Sequence, residues 1–157
     1  MIKNNLTAEW KNNNRITIEI FCPVCEQPKS YQVELPPDLI DDVLYTAFTD
    51  TVCPWVEKTE IFETECYGNC DSQQVTRGGS LIICNRYNQE CRILDLENFL
   101  KGFYQAFARH LVMSLYIDRE EDFLQLNSKT IDEIIQYALF NEVRYPHRVD
   151  DGGNNND

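Results

Sequence analysis

Histidine is nearly absent from this 157-residue sequence, which holds only His110 and His147. Neither stands in an HExxH or HxE arrangement, so the open zinc chemistry of a protease or deaminase lacks its ligands and its base. Long apolar runs are missing too. The longest uncharged apolar runs, such as LVMSLYI at 111 to 117, fall far short of the ~20 residues that span a bilayer. The opening MIKNNLTAEWKNNN lacks the apolar stretch of a signal peptide, which makes the cytoplasm the expected compartment. No GxxxxGK[ST] or GxGxxG occurs, and Arg77-Gly78-Gly79 is too short for a phosphate loop. Basic residues are scarce as well: 14 Lys and Arg face 26 Asp and Glu, a net charge of −12. Such a charge repels nucleic acid and anionic membranes unless cations cluster locally, and it speeds docking on a basic protein surface.

Cysteine, by contrast, is plentiful. Seven cysteines in a chain expected among reduced thiols point to metal binding or buried thiols rather than a disulfide framework, and the odd count leaves at least one unpaired. The strongest chemical signal is Cys22-Pro23-Val24-Cys25, whose spacing in a tight turn lets two thiolates meet one tetrahedral zinc. Cys66-Tyr67-Gly68-Asn69-Cys70 is the natural second pair, with Gly68 free to take the backbone conformation of such a turn. Four cysteines, Cys22, Cys25, Cys66 and Cys70, make a closed and therefore structural site, one zinc per chain. Cys53, in Val52-Cys53-Pro54-Trp55, is an alternative to Cys66 or Cys70. Cys84 and Cys91 fall on apolar strand faces, where a free thiol acts as a small hydrophobe.

Hydropathy periods organise the rest. RITIEIF and SYQVEL alternate at period two and predict a hairpin with the Cys-Pro-x-Cys turn at its tip. Pro36, Pro37 and Asp38 open a helix whose core face is Leu39, Ile40, Val43, Leu44, Ala47 and Phe48, with Asp41 and Asp42 on its polar side. WVEKTEIFETE has some strand character. SLIICNRYNQECRIL predicts a second hairpin turning at Tyr87-Asn88, which sets Cys84 opposite Cys91 and Ile82 opposite Ile93. Asp95 is the expected N-cap of a long helix reaching about Ile117, with the stripe Leu96, Phe99, Leu100, Phe103, Phe107, Leu111 and Leu115. Thr130 and Glu133 match the capping box of a last helix carrying Ile131, Ile134, Ile135, Ala138 and Leu139.

The expected architecture is α+β: small antiparallel hairpins, zinc-ribbon-like in the N-terminal part, packed with three main helices, two of them C-terminal. Residues 1–14 read as a flexible lead-in, 15–149 as a single zinc-stabilised domain, and 150–157 as a disordered tail. Candidates for catalysis are sparse. His110 reads as a boundary or surface residue, and the acidic run 118–122 as a solvated stretch.

The expected function is a non-enzymatic, zinc-stabilised interaction protein whose partner has a basic surface. One alternative is nucleic-acid binding through the hairpins, with Arg77, Arg86 and Arg92 near Tyr87. Another is an enzyme with a cysteine nucleophile or a carboxylate pair; no one cysteine is singled out, and replacement of Cys53 or His110 is the discriminating change. The segment IDEIIQYALFNEVRYP, 131 to 146, resembles the closing segments of uncharacterised proteins of phages and mobile elements. That resemblance implies such an origin and, through it, a host-directed inhibitor; it attaches no activity and no site residue.

Overall fold

The computed structural model describes residues 5–49, 51–116 and 126–146. Its elements run α1 (Leu6–Asn13), β1 (Arg15–Cys22), β2 (Gln27–Glu34), α2 (Pro37–Thr49), β3 (Val56–Ile61), β4 (Leu81–Asn85), β5 (Cys91–Leu94), α3 (Leu96–Tyr116) and α4 (Ser128–Phe140). The α+β class holds, with four helices, an antiparallel hairpin β1-β2 and a second antiparallel sheet in the order β3-β4-β5. The second hairpin thus gains β3 as a third strand, formed by the segment with partial strand character.

Alternation in β1 does what period two requires. Ile16, Ile18, Ile20 and Cys22 face inward, while Phe21 points to solvent. β2 contributes Val33 to the core and runs into the buried Leu35. Helix α3 packs across β1 and fixes it through Tyr104, whose hydroxyl accepts from the Glu19 N–H (3.1 Å) and donates to the Glu19 carbonyl (3.0 Å). The residues expected as a loose lead-in are largely helical. Leu6 and Trp10, at i and i+4, are buried, and the Trp10 indole N–H donates to the Leu35 carbonyl at 2.8 Å.

The stripe of α3 is buried from Leu96 to Leu111, around the stacked rings of Phe103 and Phe107. The Asp95 carboxylate caps it by accepting from the Asn98 N–H at 2.8 Å. Helix α4 crosses α3 closely at Gly102, where a Cβ would come within 2.6 Å of the Ala138 nitrogen. Its N-cap is Asn127, which accepts from the Thr130 N–H at 2.9 Å, so the Thr130–Glu133 capping box is not the one used. Glu133 turns elsewhere, to His110. Asp41 also departs from its expected polar face: it is 9% exposed and accepts from the Thr76 hydroxyl at 2.6 Å. The side chain of Leu115, the acidic run 118–122, His147 and the tail 150–157 lie outside the described residues.

Candidate metal centre

The turn joining β1 to β2 comprises Pro23, Val24, Cys25 and Glu26, since Cys22 pairs directly with Gln27. The Glu26 N–H closes it on the Cys22 carbonyl at 2.9 Å. Glu26 takes φ 56°, the left-handed region, which costs a residue with a Cβ about 1 kcal/mol. That conformation turns the chain back into β2, with Cys25 beside it at the hairpin tip. Around the Cys22 sulfur, the backbone N–H groups of Cys25 and Val24 and the Cys25 side chain favour the thiolate over the thiol.

These contacts have an electrostatic result. The backbone N–H of Cys25 is the largest influence on the Cys22 thiol; with the Cys25 side chain, the Val24 N–H and the charge of Lys29 it outweighs desolvation and holds the pKa below the ordinary thiol value. The thiolate is the form that binds a metal. Cys22 is buried because it continues the inward face of β1, whereas Cys25 is exposed at the tip. The turn is therefore a preorganised dithiol with one sulfur shielded and one open.

Cys66 and Cys70 lie in the segment between β3 and β4, which has its own internal order. Gln74, fully buried, donates to the Glu63 carboxylate (2.9 Å) and the Glu65 carbonyl (3.0 Å) and accepts from the Tyr67 N–H (2.7 Å). A 3-10 turn at Asp71–Gln73 follows, and the Gln73 side chain accepts from the Asn69 N–H at 2.7 Å. Both cysteines are exposed, with their sulfurs near local oxygens: Cys66 Sγ at 3.3 Å from the Gly68 carbonyl, Cys70 Sγ at 3.1 Å from Ser72 Oγ. Among the described residues, no three His, Cys, Asp or Glu side chains come together as a metal-holding group. The structure thus brings Cys22 to Cys25 and does not gather Cys66 and Cys70 onto them.

Cys53 is walled in. It is buried between α2 and β3, and desolvation first, then the charge and hydrogen bonding of Asp132, push its thiol far above the ordinary value. A thiol so held is a poor nucleophile and a poor ligand. Cys84 and Cys91 have the expected cross-strand register, but they are joined as a disulfide rather than left as free hydrophobes, and Cys91 lies exposed. His110 Nε2 sits 2.9 Å from the Glu133 carboxylate. Arg92 is engaged by the Leu139 carbonyl (2.8 Å), by Glu90 (2.7 Å) and by the ring of Phe140, which leaves it little freedom to meet a phosphate.

Sequence reasoning finds Cys22 and Cys25 because their partnership is local. It misses the Trp55–Asp132–Gln136 network and the His110–Glu133 pair because those partners meet only through the packing of the helices. No family model, curated protein or solved structure matches this chain.

Proposed function

We propose that the protein is a non-enzymatic, zinc-binding interaction protein, with zinc held by Cys22 and Cys25 and docking directed by acidic charge toward a basic partner protein. The observation that carries this reading is the turn itself: two cysteines on a hairpin tip closed by the Glu26 N–H on the Cys22 carbonyl, Cys22 buried and Cys25 exposed, with neighbouring backbone N–H groups that favour the Cys22 thiolate. Zinc bound by thiolates gains from such N–H donors, which orient the ligands and spread their charge. The net charge of −12 supports association that is fast and salt-sensitive. A single-chain site that also used Cys66 and Cys70 requires their segment to move toward the hairpin. A phage or mobile-element origin, and with it a cytoplasmic host protein as the partner, belongs to the same proposal and rests on the likeness of residues 131–146.

The test is metal content by mass spectrometry on purified protein, with thermal unfolding before and after chelation. Bound zinc that disappears in Cys22→Ser, with a melting temperature lowered by chelation, supports the reading. Metal-free protein that melts unchanged with chelator overturns it.

A further inference from the structure

We propose that the Cys22–Cys25 turns of two copies of this chain close tip to tip on one shared zinc. The inference rests on the zinc reading above and adds the source of the missing ligands. Thiolate zinc takes four ligands in a tetrahedron, and the turn supplies two. Among the described residues no third His, Cys, Asp or Glu joins them. A second copy offers an identical pair, and a two-fold axis through the metal makes the contact self-complementary and closed.

The surroundings of the turn favour this occupant. Phe21 and Val24 flank the dithiol and are 62% and 67% exposed, so the tip presents apolar side chains to water beside its sulfurs. Against a second tip they gain an apolar counterpart. Charge points the same way. Two chains of net charge −12 repel each other over most of their surface, yet the segment IFCPVCEQPK, 20 to 29, holds one acid, Glu26, and one base, Lys29. The hairpin end is therefore a place where two acidic copies approach without an added local charge penalty, and the zinc dication offsets part of the thiolate charge. Cys25, exposed at the tip, is positioned for the shared metal, while Cys22 is oriented by the turn beneath it.

The test uses the full chain loaded with zinc, by native mass spectrometry and by light scattering after size exclusion, on wild type, Cys25→Ser and the Cys66→Ser/Cys70→Ser double variant. The expected result is a dimer carrying one zinc per two chains, dissolved by chelator, lost in Cys25→Ser and kept in the double variant. Cys22→Ser and Val24→Glu are further probes, the second expected to weaken the dimer without removing a ligand. A monomer with one zinc per chain, or zinc lost in the double variant, overturns the shared site and leaves the zinc reading standing. A dimer that forms without zinc also overturns it. Absence of zinc from every form defeats the zinc reading and this inference together.

Discussion

Trp55 donates its indole N–H to Asp132 Oδ1 at 2.7 Å, across 77 residues of sequence, and both side chains are 1% exposed. Gln136 donates to the other carboxyl oxygen at 3.0 Å and to the Tyr145 carbonyl at 2.8 Å, and accepts from the backbone N–H groups of Arg144 and Tyr145. Tyr145 in turn stacks on Trp55. One buried carboxyl thus ties the start of β3 to α4 and to the chain beyond it. Asp132→Ala strands the indole N–H and a Gln136 donor in the core, and is expected to cost about 3 kcal/mol in urea unfolding. Trp55→Phe keeps most of the packing and is expected to cost about half as much. Equal stability of Asp132→Ala and wild type contradicts the network.

The His110–Glu133 pair sets an acid limb. Burial acts to raise the Glu133 carboxyl, but the hydrogen bond and charge of His110, with Lys129 and Arg109 nearby, outweigh it and hold the pKa below the usual carboxylate value. A glutamate in the unfolded chain titrates at about 4.3. The stability this group adds is therefore complete above that value and drains away as pH falls through the lower folded value. The gap in unfolding free energy between wild type and Glu133→Gln is expected to shrink between about pH 5.5 and about pH 3. A gap that widens in acid contradicts the assignment.

Gly102 sets how closely the two C-terminal helices approach. A methyl there meets the Ile134 carbonyl oxygen, the Ala138 nitrogen at 2.6 Å and the Ala138 Cβ at 2.7 Å, and backbone cannot swing aside as a side chain can. Gly102→Ala is expected to lose about 2 kcal/mol, the overpacking cost exceeding the roughly 1 kcal/mol gained in helix propensity. Gly78→Ala, with open space around it but φ 90°, is the contrast: its cost is local strain alone, about 1 kcal/mol. Chemical denaturation of both variants checks the pair.

The Cys84–Cys91 disulfide closes a short loop, with seven positions separating the two cysteines. Loop-closure entropy for a span this short amounts to about 2 kcal/mol. Thermal unfolding with and without a thiol reductant is expected to differ by about that amount, with the hairpin still formed after reduction because β4 is also paired with β3. Protein that unfolds outright on reduction contradicts this.

Local patterns made much of this fold legible. The period-two alternation of β1, the Asp95 cap and the register of Cys84 with Cys91 are each decided within a few residues, by pleat or turn geometry. What the sequence hides is decided at a distance. Two apolar residues in an Asn-rich stretch do not announce α1; Leu35, 25 residues after Trp10, makes that helix worth forming. Asp41 reads as one of a solvated acidic pair until Thr76 appears opposite it, 35 residues on. The candidate site divides in the same way. The Cys22–Cys25 half is visible because a tight turn brings two cysteines to one hairpin tip, whereas joining Cys66 and Cys70 to it is a long-range matter that spacing cannot decide.

Cobalt(II) titration followed by absorbance tests the dithiol turn most directly, because the spectrum reports ligand type and geometry without depending on stability. Wild-type protein is expected to develop a near-ultraviolet thiolate-to-metal band and the intense visible bands of tetrahedral cobalt, both bleached by zinc and both absent from Cys22→Ser. A spectrum that stays that of hydrated octahedral cobalt, or tetrahedral bands that persist unchanged in Cys22→Ser, would contradict a metal site built on this turn.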